Sequence, residues 1–135
     1  MKLTKELMDY MVVFENLTRV HVKDCFENGD RLVFVVVEGS VMRAIGKNAS
    51  NIKKLERLMK KKVKVVEGSS DPCRFVRSWI APVKAESISL EDDRVVISVM
   101  DVKSKGLLLG RDRRNFKNLE EVFKRYFKGL NVEIR

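Results

Sequence analysis

The chain has 135 residues, 44% of them hydrophobic and 35% charged, with a formal net charge of +9 at neutral pH. This is the composition of a globular protein, which excludes disorder, and no apolar run approaches the roughly 18 residues of a transmembrane helix. The stretch from Met1 to Phe14 mixes Lys2, Lys5, Glu6 and Asp9 with its apolar residues, so it does not read as a signal peptide. Two cysteines, Cys25 and Cys73, are too few for a disulfide framework and lack metal-ligand spacing. They are expected as free thiols in a reducing compartment, with a Cys25–Cys73 disulfide as the alternative, and together these points indicate a cytoplasmic protein.

In chain order, residues 3–16 carry Leu3, Leu7, Met11 and Phe14 on one helical face. Residues 19–26 and 31–38 are β-branched and aromatic runs parted by Asn28-Gly29-Asp30, a hairpin turn. A short helix near 40–45 leads to Gly46. A longer helix over 49–61 turns Ile52, Leu55, Met59 and Val63 inward, and a strand at 63–67 follows. Gly68-Ser69-Ser70 reads as a linker. Asp71 is an N-cap with Pro72 at the first helical position, where a missing N–H costs nothing. Pro82 closes that helix, and strands at 83–90 and 93–101 flank a turn at Glu91-Asp92-Asp93. A short helix at 103–109 ends at Gly110. A helix at 114–127 buries Phe116, Leu119, Phe123 and Phe127, and the last strand is 130–134.

The second half repeats the first. Asp30 to Val37 aligns with Asp93 to Met100 at an offset of 63, and Gly46 to Glu56 aligns with Gly110 to Glu120 at an offset of 64. Agreement in glycine, strand and helix period marks a duplicated unit. The expected fold is α+β: two domains, 1–68 and 69–135, each α-β-β-α-α-β with a three-stranded sheet covered by helices.

Charge follows the repeat. Segment 43–64 carries +8 and segment 103–128 carries +6, leaving −5 for the rest. Two placed basic patches point to a polyanion, most often nucleic acid, against the plainer reading of two solvated helix faces. In each copy a glycine opens a four-residue loop between a short helix and a basic one. Without a Cβ, the glycine lets a phosphate approach the backbone, and the following helix start favours an anion. The candidate RNA-binding residues are Arg43, Gly46, Lys47, Asn48, Ala49, Lys53, Lys54 and Arg57 in the first copy. In the second they are Gly110, Arg111, Asp112, Arg113, Arg114 and Lys117. Lys60, Lys61 and Lys124 extend the basic faces. Such a clamp gives affinity with little base information. Asn51 and Asn115 are expected to hydrogen-bond within their own helices. Phe116, Phe123, Tyr126, Phe127 and Trp79 are read as packing.

On these residues the chain resembles the KH family in its prokaryotic, type II arrangement, where a G-x-x-G loop joins two helices and grips a nucleic-acid backbone. More closely it resembles the archaeal NusA-like transcription termination factors. The stretch from Asp71-Pro72-Cys73-Arg74-Phe75 through Pro82-Val83 is similar to the opening of their last KH domain, and the final strand Leu130 to Ile134 also fits. The resemblance covers nearly the whole chain and leaves no room for the bacterial factor's further domains. It implies single-stranded nascent RNA as partner and a part in transcription termination or antitermination. Both loops depart from the pattern: Ala49 and Arg113 stand where the last glycine would be, and Asp112 adds a negative charge. The first loop is therefore the stronger candidate.

An enzyme is not expected. His21, the only histidine, falls on a strand, and no Cys/His pair, paired carboxylates or P-loop is present. No cofactor, metal or membrane partner is expected, and the chain reads as a monomer. One rival reading takes Arg43 to Lys61 as a DNA-binding helix-turn-helix. Another takes the acidic Glu86, Glu91, Asp92 and Asp93 as a protein-docking surface for RNA polymerase. A Gly46→Asp substitution is expected to weaken RNA binding strongly without unfolding, and Gly110→Asp to do less.

Overall fold

A computed structural model describes residues 4–135, which fall into two compact units, one reaching to Ser69 and the other Ser70–Arg135. Leu3, assigned above to the inner face of the first helix, lies outside the described residues. The first unit runs α1 (Lys5–Thr18), β1 (Val22–Asn28), β2 (Arg31–Val36), α2 (Val41–Ile45), α3 (Ser50–Met59) and β3 (Lys62–Glu67). The second repeats that order as α4 (Pro72–Ile80), β4 (Ser87–Glu91), β5 (Arg94–Ser98), α5 (Val102–Leu109), α6 (Arg114–Tyr126) and β6 (Asn131–Ile134). The architecture is mixed α+β.

Each unit carries a three-stranded sheet, in the order β1-β2-β3 or β4-β5-β6. The first two strands form an antiparallel hairpin, and the third returns parallel to the middle strand. Parallel pairing requires a crossover, and the helix pair supplies it. Asn28 pairs with Arg31 and Glu91 with Arg94, so both hairpin loops have two residues. Gly29 (φ 64°) and Asp92 (φ 54°) take the left-handed conformation that such short loops need.

Three helix starts are capped by short polar side chains, whereas Ser40 at the start of α2 makes no cap bond. Thr4 accepts from the Leu7 N–H at 3.1 Å, Asp71 from Cys73 at 2.9 Å and Asp101 from Ser104 at 2.8 Å. Phe14 stacks on Phe34 with ring centres 4.4 Å apart, and Leu7 and Met11 pack beside them. Leu55 and Met59 close the first core from above, as their spacing predicts. In the second unit Phe75 meets Tyr126 at 5.4 Å and Phe127 at 5.5 Å, and Phe123 meets Phe127 at 4.9 Å. Trp79 is buried and stacks beside Phe75. These aromatics are packing residues, and each fully buried one contributes about 2 kcal/mol, while Tyr126 and Phe127 are half-buried.

Several boundaries move. α1 runs on to Thr18, and Arg19 (φ 60°) turns left-handed to end it, so β1 begins only at Val22. His21 therefore precedes the strand; it is exposed, with Nδ1 2.9 Å from Glu15 Oε2. α3 stops at Met59 because Lys60 (φ 55°) is left-handed, and Lys61 then reaches back to Glu27 at 2.8 Å. That ion pair removes Lys61 from the outward helix face. β5 ends at Ser98, well before Asp101, which serves as the N-cap of α5. Gly68 is not a linker residue: it is buried, its N–H donates to Val36 O at 2.8 Å, and a Cβ there would meet Val35 at 3.0 Å. Cys25 and Cys73 are both free. Burial pushes the Cys25 thiol up to about 12, where it is inert. Among the described residues no helix is long and apolar enough to cross a membrane, and no group of three or more His, Cys, Asp or Glu could hold a metal.

Candidate nucleic-acid interface

The two glycine-led loops have the same backbone. Gly46 and Gly110 close α2 and α5 by donating to Met42 O at 3.0 Å and Gly106 O at 2.8 Å. Gly46 then adopts φ 80°, ψ 168° and Gly110 φ 73°, ψ 174°, a region that is essentially glycine-only. A single 3-10 turn follows, Lys47–Ala49 in one unit and Arg111–Arg113 in the other. Its last two residues are left-handed in both: Asn48 (54°, 34°) and Ala49 (59°, 28°), Asp112 (54°, 31°) and Arg113 (60°, 24°). Asn and Asp tolerate this conformation, whereas Ala49 and Arg113 hold it at a cost of about 1–2 kcal/mol each. The residues that replace the last glycine of the pattern thus keep a glycine's conformation.

The leading glycines are required from inside the fold. A Cβ on Gly46 would lie 2.8 Å from Ser50 Oγ and 2.9 Å from Asn51 Cγ, and one on Gly110 would lie 2.6 Å from Asn115 Cγ. A Gly46→Asp side chain would therefore strain the loop itself, in addition to any effect on binding. Asn51 and Asn115 also differ from expectation. They donate across the loop, Asn51 to Arg43 O at 3.3 Å and Asn115 to Leu107 O at 2.9 Å, and not within their own helices.

The periodicity of α3 that turns Leu55 and Met59 inward turns Lys53, Lys54 and Arg57 out. With Arg43 and Lys47 they are exposed, and among the described residues none is held in an ion pair. Asn48 is exposed and Ala49 half-buried. In the second unit Arg111, Asp112, Arg113, Arg114 and Lys117 are all exposed, and Arg113 folds over the Phe116 ring at 5.3 Å. α3 and α6, the helices that leave these loops, have no side-chain cap, unlike α1, α4 and α5. Their uncapped N-terminal amides suit an anion.

The second unit also contains a cleft of about 480 Å³ between the helix pair and the edge strand β6, lined by Lys105, Leu109, Arg113, Phe116, Glu120 and Asn131 among others. Glu120 and Asn131 were not candidates from sequence. The available signal was the i, i+4 spacing of Phe116 and Glu120, which puts the carboxylate on the half-buried flank of α6. The first unit uses the aligned residue differently: Glu56 accepts the Val63 N–H of edge strand β3 at 2.9 Å.

Comparison with known proteins agrees with this geometry. The KH domain family model matches residues 10–104 as one span crossing both units. The relatives include proteins named "Probable transcription termination protein NusA" from several archaea. That of Thermoplasma acidophilum is 30% identical over 96% of this chain and 92% of its own length. That of Methanocaldococcus jannaschii is 29% identical over 98% and 74%. That of Halobacterium salinarum is 27% identical over 93% and 92%. A solved structure described as "Crystal structure of APE1850" superposes with a TM-score of 0.76 at 34% identity, covering 98% of this chain and 99% of that one. A glycine-led loop between two helices, set against a three-stranded sheet and matched in sequence along most of its length, places this chain in the KH-domain family, among the archaeal NusA-like transcription termination proteins.

Proposed function

We propose that the protein binds single-stranded RNA without catalysing a reaction and takes part in transcription termination or antitermination by holding nascent RNA. Each unit acts as a type II KH domain, and the two divide after Ser69. The observation that carries this reading is the twofold occurrence of one strained loop, Gly46–Ala49 and Gly110–Arg113, beside exposed cations and uncapped helix starts. A phosphate seats at the loop, where Lys47 or Arg111 and the helix amides meet it. In the second unit the neighbouring base enters the cleft, where Glu120 accepts from an exocyclic amino group. The relatives' names support the termination role. The protein works as a cytoplasmic monomer.

RNA is preferred over duplex DNA because the outward face of α3 is nearly pure Lys and Arg, which suits phosphates more than base edges, and because β3 follows α3 within three residues. RNA is preferred over a protein-docking role because two members of the acidic turn are partly neutralised, Glu91 by Arg135 at 3.2 Å and Asp93 by Arg94 at 3.7 Å. RNA polymerase is then a second partner that meets the complex.

The test is fluorescence anisotropy with single-stranded RNA, single-stranded DNA and duplex DNA of equal length at several salt concentrations. Single-stranded RNA binds tightest, with a log–log salt slope of about −0.7 per neutralised phosphate. Tighter binding of duplex DNA overturns the reading. Absence of any binding transfers the basic faces to a protein partner and makes RNA polymerase the ligand to test.

A further inference from the structure

We infer that Asn51 and Asn115 are positioning residues, whose side-chain amides brace the short helix against the long one across the loop and so present the loop preformed to a phosphate. The inference rests on the reading of these loops as phosphate clamps. Each asparagine is the second residue of its helix, yet its Nδ2 donates backwards to the short helix. The carbonyls it reaches are those a helix end leaves over. Met42 O and Gly106 O accept the glycine N–H, and the next carbonyls along, Arg43 O and Leu107 O, accept the amide.

The same amide explains the glycine. A Cβ on Gly110 would stand 2.6 Å from Asn115 Cγ and 2.7 Å from its Nδ2; on Gly46 it would stand 2.9 Å from Asn51 Cγ and 3.0 Å from its Nδ2. Glycine and asparagine are complementary halves of one fitting, built twice. Between the braced points lie two left-handed residues per loop, a conformation that persists only when its surroundings over-determine it. Asn51 is half-buried and Asn115 exposed, and neither belongs to an apolar core. Neither carries a charge, so their effect on a polyanion passes through the loop they hold.

The experiment uses the full chain with Asn51→Ala, Asn51→Leu (similar shape, no donor) and the same pair at position 115. Three quantities are measured: affinity for labelled single-stranded RNA across salt, hydrogen exchange of the loop amides, and thermal midpoint. The expected result is a loss of affinity of about tenfold at every salt concentration, because the loop must now be ordered on binding. The salt slope stays unchanged, since no cation is lost, whereas Lys47→Ala reduces it by about 0.7. Amides 47–49 or 111–113 exchange faster while the sheets keep their protection. RNA affinity unchanged in a variant that remains folded overturns the inference, even if the thermal midpoint falls. So do loop amides that exchange as in the parent. If the parent chain binds no RNA, the clamp reading fails by itself, and amide exchange still decides whether the asparagines order the loop.

Discussion

The two units share a backbone and differ in how they use it. In the first, the loop is flanked by exposed cations on α2 and α3, and Glu56 occupies the Val63 N–H on the edge strand. In the second, the loop carries Asp112 among its arginines, Arg113 leans over Phe116, and Glu120 faces a cleft. The middle of the third strand differs as well. Lys64 stands beside Val33 in one sheet and Glu133 beside Val96 in the other. Burial, and then the nearby Arg31 charge, pulls the Lys64 ammonium down to about 8. Glu133 is held below its usual range by hydrogen bonds from Arg135 and Arg94. What the two copies keep is the geometry of the glycine-led turn. What they let drift is the chemistry around it: exposed lysines and arginines beside one loop, an aspartate, an arginine over a ring and a carboxylate-lined cleft beside the other.

The largest expected effect tests the shared part. Gly46→Ala and Gly110→Ala each lower unfolding stability by about 2 kcal/mol, through a glycine-only conformation and a Cβ with no room. Gly110 suffers more, since the backbone N of Asn115 also lies 2.9 Å away. Calorimetry on the full chain checks this, and midpoints equal to the parent would break the claim that both turns are locked.

Next come two substitutions that should separate the units. Lys47→Glu weakens binding of any single-stranded RNA by roughly 30-fold, the loss of one charge-assisted contact. Glu120→Ala changes affinity only a few-fold but flattens base preference, measured by competition among homopolymers. If Glu120→Ala instead acts uniformly on all sequences, the cleft does not read bases.

A smaller effect of opposite sign is expected where the last glycine is missing. Ala49→Gly relieves a left-handed alanine and stabilises by roughly 0.5–1 kcal/mol after the entropy cost of glycine. Chemical denaturation measures it.

A further difference between the units lies in pH dependence. Lys64 has its folded pKa depressed from 10.5, so between about pH 8 and 10.5 the folded chain binds fewer protons than the unfolded one. Stability therefore rises with pH across that window, and below it the penalty is fully present. Glu133 gives the same direction of slope at acid pH but from a favourable contribution, present at neutral pH and lost as pH falls through the depressed carboxylate value. Thermal melts of the parent and Lys64→Met at pH 7 and pH 9 check the first claim, and the rise should vanish in the variant.

Much of this was legible from residues alone. Phe14, Leu55, Met59, Phe116, Leu119 and Phe123 are buried where period 3.6 places them, and Asp71-Pro72 starts a helix. The loop glycines were legible as a pair because they recur at one offset. Their reason was only half legible: the sequence offers a phosphate as the object needing space, while the structure puts an asparagine amide there. Lys61 and Gly68 were misplaced because their partners, Glu27 and Val36 O, are distant in sequence.

By itself the sequence determined the duplication, the element order, the inner faces of the helices and the concentration of positive charge beside two turns. These depend on local periodicity and on the conformational limits of glycine, proline and capping residues, which act within a few positions of the chain. The tertiary structure decided what each polar side chain meets. Glu56 and Glu120 are identical in type and aligned by the repeat, yet one accepts a strand N–H and the other lines a cleft. Hydrogen-bond partners and open space depend on where non-neighbouring strands and helices come to rest, and nothing local encodes that distance.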